Sequence, residues 1–305
     1  MSALAWIARR GRLALVAGLL AGLTLPELAA LIRPWLPECV ALLLFLTAFR
    51  IGHVAALGAG EARGRALILV LLFQLALPLA ALGIAKAVGV ETAPLAVVLV
   101  LMLSAPAVSA SPNVAIMLGH DPAPALRLVI IGTALLPLTV LPVLALSPVL
   151  GSPEEVAAAA LRLLGVISIA VVAGFGLRAV TGLPDARREA LDGAAAIALA
   201  VIVVGLMSAL GPALASDPLS VAAWGGAAFA ANFGLQLACH AAIGATPDRV
   251  PVSIVAGNRN IALFLVALPE AVTDPLLVFI GCYQIPMYLT PILLRRVYPP
   301  PPEAS

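Results

Sequence analysis

The sequence predicts an all-α integral membrane protein of ten transmembrane helices, arranged as two inverted five-helix repeats. Three observations predict it. Hydrophobic residues make up 63% of the 305-residue chain, charged residues only 10%, and the mean hydropathy is +1.13. An ordinary soluble domain carries about a quarter charged residues, so this surface belongs in lipid. Ten apolar runs each approach the ~20 helical residues needed to cross a ~30 Å hydrocarbon core. Two polar clusters, "SASPN" and "GNRN", interrupt those runs at matching places in the two halves. The same composition leaves no stretch for a sizeable soluble domain, and a net charge of +2 gives no footprint for nucleic acid.

The spans fall at about 13–31, 36–56, 66–88, 92–118, 124–148, 157–179, 190–213, 218–243, 250–269 and 272–294. Short connections carry the turn chemistry: "RPWLPE", "GAGEARGR", "GHDPAP", "GSPEE", "GLPDARRE", "SDP", "ATPDR" and "LPEAVTDP". The basic, apolar opening "MSALAWIARRGRLALVAGLL" has signal-peptide features, but its apolar run is about 19 residues long and nine spans follow. It is expected to be a retained first helix. Residues 1–150 form the first repeat and 151–297 the second, followed by a Pro-rich tail at 298–305 that cannot be helical. Cys39, Cys239 and Cys282 are scattered in apolar sequence without ligand spacing, which implies neither a disulfide framework nor a metal site.

Arginine placement sets the orientation. With the N-terminus cytoplasmic, thirteen of the seventeen basic residues fall on the cytoplasmic side. Arg33, Lys86 and Arg162 fall outside, and Arg259 is left within a span. Both termini are therefore expected in the cytoplasm, with the chain multi-pass in the cell (inner) membrane.

Five spans is an odd number, so the second half must thread the membrane in the opposite sense to the first. "SASPN" (109–113) lies late in the fourth span and "GNRN" (257–260) lies in the ninth, with Asn113 and Asn260 147 residues apart. Inverted repeats with polar breaks at corresponding places are a pattern of secondary transporters. Pro106 and Pro112 remove two backbone donors from the fourth span, and Ser109, Ser111 and Asn113 sit around them. Freed carbonyls in hydrocarbon need partners, whether side chains, an ion or a substrate. An ordinary kinked helix is the competing reading of "SASPN" alone, and the matching break at "GNRN" counts against it. All four asparagines (Asn113, Asn232, Asn258, Asn260) and all three glutamines (Gln74, Gln236, Gln284) lie inside spans, where polar groups are expensive and usually functional. For Gln236 and Gln284, hydrogen bonding between helices is the expected role.

The stretch "APAVSASPNVAIMLGHDPAPALRLVIIGTALLPLTVLPVL" (105–144) resembles the fourth and fifth helices of the bile acid:sodium symporter family. "LILVLLFQLALPLAA" (67–81) resembles that family's third helix and "AGNRNIALFLVAL" (256–268) its ninth. The resemblance covers most of the chain and rests on motif order and spacing. It implies two inverted five-helix repeats whose fourth and ninth helices are unwound and cross near the membrane centre, and a core domain that moves against a panel. It also implies sodium sites behind the crossing, and there the pattern fails. The family Asn of the fourth helix matches Asn113, but its Ser position holds Pro112. The hydroxyls of the fifth helix fall on Val129, Ile130, Gly132 and Thr133, so only Thr133 can still coordinate. The shared Glu falls on Val255, the Gln on Arg259, and the neighbouring Asn on Asn260, while Gln74 is kept. With an arginine gained and the carboxylate lost, sodium coupling is not carried over, and no cofactor is expected.

Three roles are open for Arg259. It can stand in for the lost sodium, bracing the crossing through carbonyls and the amides of Gln74, Asn113 and Asn260. It can pair with an anionic substrate. It can also snorkel, although ~9 apolar residues, about 13 Å of helix rise, follow it. An arginine at mid-span costs about 2.5–3.5 kcal/mol on insertion scales, and the sequence places no acid at that depth. His53 and His120 are expected near span ends, and His240, in the eighth span, is a candidate proton carrier.

The expected function is transport of a small or amphipathic organic anion by alternating access, without enzymatic activity. The expected ion- and substrate-binding residues are Ser109, Ser111, Asn113, Thr133, Asn258, Arg259 and Asn260. Gln74, Pro106, Pro112, Asn232 and His240 support them. An auxin-efflux-type carrier or a facilitative uniporter of the same architecture is the nearest alternative, followed by a transport-inactive sensor or an intramembrane enzyme.

Overall fold

The computed structural model describes residues 3–52, 60–147, 152–182 and 184–300. His53 and the end of the Pro-rich tail lie outside them. Among the described residues every regular element is helical, apart from one isolated β-bridge. The helices are α1 Ala3–Arg9, α2 Gly11–Thr24, α3 Pro26–Ile32, α4 Leu36–Ile51, α5 Gly60–Leu71, α6 Leu77–Ala87, α7 Pro94–Ser104, α8 Ser111–Met117, α9 Ala123–Leu146, α10 Pro153–Thr181, α11 Asp185–Leu206, α12 Leu210–Ser216, α13 Pro218–Ala242, α14 Arg249–Gly257, α15 Phe264–Ala267, α16 Glu270–Thr273 and α17 Leu277–Leu293.

Six helical stretches are long and apolar enough to cross a membrane, which is compatible with an all-α membrane protein: Pro26–Ile51, Ala62–Ala87, Ala123–Leu146, Pro153–Thr181, Arg187–Ser216 and Glu270–Leu293. The expected eighth span is a 25-residue helix, α13, but Asn232, Gln236 and His240 keep its hydropathy below that of the six. The expected fourth and ninth spans are both broken. The first two spans differ from expectation. Helix α2 stops at Thr24, and Leu25, at φ −120° and ψ 70°, leaves the helical region. Pro26 follows, and proline crowds the residue before it out of the α conformation. The connection expected at 33–38 is instead a single 3-10 turn, Arg33–Trp35, inside an otherwise helical stretch.

Helix starts follow their local chemistry. At α10, the Ser152 hydroxyl accepts from the Glu155 N–H and the Ser152 N–H donates to the Glu155 carboxylate, both at 3.2 Å, a reciprocal capping box. At α13, Asp217 accepts from the Ser220 N–H at 3.0 Å.

By their internal contacts the residues group into two units. The first takes Met1–Leu57, Leu161–Ala222 and Ala262–Gly281. In it α2 lies against α11 through Gly18 and Gly22. A Cβ on Gly18 would stand 2.8 Å from the Ala200 carbonyl oxygen, and one on Gly22 2.6 Å from the Met207 Cβ. Small residues four apart let two helix backbones approach in lipid, where close packing replaces the hydrophobic drive. Gly18→Val is expected to lower stability by about 2 kcal/mol, because the obstacle is backbone that cannot swing aside. A thermal melt in detergent checks this, and an unchanged melting temperature would reject the close approach.

The second unit takes Gly58–Ala160, Ala223–Ile261 and Cys282–Ser305. One core joins α5 and the turn that follows it to α9 and α14 through Val70, Phe73, Leu128, Val129, Val252 and Val255. A second joins α8, α14 and the chain end through Val114, Leu118, Ile254, Leu294 and Tyr298. Among the described residues, ion pairs within a unit join Arg33 to Asp274 at 2.5 Å, Arg50 to Asp192 at 2.7 Å, and Arg65 to Asp248 at 3.2 Å. Each joins two residues that the sequence assigns to the same side of the membrane.

Candidate functional site

Both polar clusters are real interruptions, and both lie in the second unit. Helix α7 ends at Ser104, and Ala105 is extended at φ −65° and ψ 147° because Pro106 follows it. The chain re-enters helix at Ser111, where Pro112 fits the first turn at no cost in hydrogen bonds. Helix α14 ends at Gly257, and Asn258, at φ −94° and ψ 89°, leaves the helical region. The unwound segments then pair with each other. The Val108 N–H donates to the Asn258 carbonyl at 2.9 Å, and the Asn260 N–H donates to the Pro106 carbonyl at 2.8 Å. These bonds form an antiparallel bridge between Ala107 and Arg259. Each break therefore supplies partners for backbone groups that the other leaves free, which an apolar surrounding demands.

Arg259 is 1% exposed, and no carboxylate among the described residues pairs with it. Its Nε donates to the Ala256 carbonyl at 2.9 Å and its Nη1 to the Ala105 carbonyl at 3.1 Å. Its Cζ lies 5.0 Å from the centre of the Phe73 ring, within cation–π range. The two carbonyls offset the charge of the guanidinium in place of an acid. Ala256 lies in the last turn of α14, and Ala105 caps the end of α7. A helix C-terminus carries about half a negative charge on its unsatisfied carbonyls, so two such ends approach one unit. The fork of the guanidinium reaches both. Among the described residues its Nη2 has no hydrogen-bond partner.

Phe73 and Gln74 sit in one turn of π-helix, Leu72–Ala76. Pro78 stands where an N–H would otherwise close on the Gln74 carbonyl, which accounts for the wider turn. The Gln74 side chain is buried and accepts from the Thr139 hydroxyl at 3.3 Å. Gly132 leaves the room for it, since a Cβ there would collide with the Gln74 amide nitrogen.

A second polar cluster holds the end of α14. The Asn232 amide donates to the Gly257 carbonyl at 2.7 Å and to the Asn258 side-chain oxygen at 3.0 Å. The Gly257 carbonyl also accepts from the Tyr283 hydroxyl. One turn along α13, the Gln236 amide donates to the Asn232 side-chain oxygen at 2.7 Å and to the Thr290 hydroxyl at 3.0 Å. Asn232, Gln236, Tyr283 and Thr290 are all buried.

The expected site residues divide accordingly. Asn258, Arg259, Asn260, Pro106 and Asn232 are brought together at the pairing, and Gln74 lies beside Gly132 on the adjoining π-turn. Of the partners expected for a bracing Arg259, the structure shows carbonyls, those of Ala256 and Ala105, and none of the amides of Gln74, Asn113 and Asn260 accepts a bond from it. Asn113 is exposed, because α8 begins at Ser111 and its first turn carries that position outward. Ser111 is fully buried and its hydroxyl has no partner among the described residues, Ser109 is half-buried, and Pro112 is buried. Thr133 is half-buried, and the hydroxyl that meets Gln74 belongs to Thr139 on the same helix. His240 accepts through its backbone carbonyl from Arg249 at 2.6 Å, and its ring packs 5.0 Å from that of Tyr298. Sequence reasoning missed Phe73, Thr139, Tyr283 and Thr290. Tyr283 and Thr290 share a face of α17 at a spacing of seven, a legible signal. Compared with known proteins, the chain matches no family profile and no curated protein.

Proposed function

We propose that the chain is a ten-span secondary transporter of the bile acid:sodium symporter kind, moving a small or amphipathic organic anion by alternating access with no sodium at the crossing. One observation carries the reading: the guanidinium of Arg259 bridges the C-terminal carbonyls of two broken helices. In transporters, carbonyls at half-helix ends are where coupling cations bind. A tethered cation already fills that position here. The grouping of residues also favours an inverted repeat. The first two spans of each half lie in the first unit, and the third to fifth of each half supply the second, apart from 262–281 at the junction of the ninth and tenth. The filled cation position favours facilitated uniport over symport as the mode of transport.

Reconstitution in proteoliposomes tests the reading. Uptake of organic anions is expected to be the same with and without a sodium gradient. The double variant Val255→Glu with Arg259→Gln restores a carboxylate and frees the carbonyls, and is expected to make uptake rise with sodium. Sodium-dependent uptake by the unaltered chain would refute the replacement. A chain that moves nothing would point to a sensor or an intramembrane enzyme.

A further inference from the structure

The second unit carries a shallow, open surface groove between α5, α9 and the start of α14. Ala62, Ala66 and Leu69 of α5 give it an apolar wall, with Val252 and Leu128 opposite. Two guanidiniums line it, Arg65 and Arg127, together with one carboxylate, Asp248. Asp248 holds Arg65 at 3.2 Å while leaving its side chain 67% exposed. Arg127 is half-buried and, among the described residues, has no carboxylate partner. Two cations and one carboxylate thus line the groove, which leaves it a net positive charge for a further anion.

The surroundings say which anion. Just beyond Arg65, α5 exposes Leu67, Ile68 and Leu71, and Leu72 follows in the π-turn, Ile68 at 68%. In a membrane-embedded chain such side chains meet acyl tails, so the cationic groove lies at the edge of a lipid-facing stripe. A ligand with a phosphate at one end and hydrocarbon at the other matches both surfaces at once. Guanidinium forks grip phosphate oxygens two at a time, and basic pockets between membrane helices are the usual seats of anionic headgroups.

We infer that Arg65 and Arg127 form a headgroup site for an anionic phospholipid, seated between α5, α9 and the start of α14. The inference rests on the chain being membrane-embedded and not on its being a transporter. Because Asp248 and Val252 flank the first turns of α14, an occupied site ties a lipid to the helix that ends at Gly257.

The test uses the full chain in detergent, melted with phosphatidylglycerol, with phosphatidylcholine, or with inorganic phosphate alone. Phosphatidylglycerol is expected to raise the melting temperature by about 4 °C, and the other two to leave it unchanged. Arg65→Gln with Arg127→Gln should lose that rise. Should the double variant fail to fold, Arg127→Gln alone should reduce the rise, and Asp248→Asn, which removes the competing carboxylate, should enlarge it. Native mass spectrometry should find phosphatidylglycerol retained by the unaltered chain and absent from the arginine variants. An equal rise with phosphatidylcholine, a rise with phosphate alone, or a rise that survives Arg127→Gln would each overturn the site.

Discussion

Arg259→Ala is expected to lower stability by about 2 kcal/mol and to abolish uptake in proteoliposomes. Two opposing terms set that figure. Removing a buried guanidinium recovers the ~3 kcal/mol that an arginine costs at mid-membrane. It also strips the Ala105 and Ala256 carbonyls of their donor, at about 1–3 kcal/mol each, and leaves the space against Phe73 empty, at roughly 2 kcal/mol more. The losses outweigh the gain. Transport should fall further than stability, because the same bonds hold the two helix ends in register. Arg259→Lys separates charge from geometry. An ammonium keeps the positive charge but concentrates it at one point, so stability should be intermediate while uptake remains low. An alanine variant that melts and transports like the unaltered chain would make the guanidinium a bystander.

The second large effect is expected at Gly257, whose importance lies in what a methyl group would strike. A Cβ there would run into the Asn232 backbone carbonyl and stand 2.5 Å from the Gln236 Cγ. Neither can yield cheaply. The first is backbone of α13, and the second belongs to a side chain bonded to Asn232 and Thr290. Gly257→Ala should therefore force α13 and α14 apart and cost about 3 kcal/mol, the upper range for overpacking. The lost bonds from Asn232 and Tyr283 to the Gly257 carbonyl are part of that cost. Asn232→Ala removes one of those donors without adding bulk, and its smaller loss would separate the hydrogen bond from the clash. A Gly257→Ala protein with an unchanged melting temperature would mean that α13 and α14 are not in close contact.

The breaks were readable because proline and asparagine write them in the sequence. Pro106 must free a helix carbonyl, and "GNRN" places three polar side chains where hydropathy forbids them. The partners of Arg259 were not readable for a physical reason: backbone carbonyls have no letter of their own. Every helix end offers them, and only the fold decides which two converge. Phe73 was hidden for a related reason, since an aromatic ring in an apolar helix is indistinguishable from ordinary packing until a cation lies over it. Asn113 was placed at the pairing because it matches a family position, but the helix restarts at Ser111 and turns it outward. The stop at Thr24 was in reach, because the restriction that proline imposes on its predecessor applies to Leu25, yet the apolar run continues through Pro26 and masked it.

A sodium ion at a helix crossing is a passenger that leaves on every cycle, whereas a guanidinium bonded to Ala105 and Ala256 comes back with the protein. Under the proposed function, each turnover then moves only the charge of the substrate. For a monovalent anion that is one negative charge, and a membrane voltage of 100 mV acts on it with about 2.3 kcal/mol. An interior-negative cell would thus resist loading through this protein and assist discharge. By fixing its cation in place, the chain would exchange an ion-driven importer for a voltage-assisted outlet.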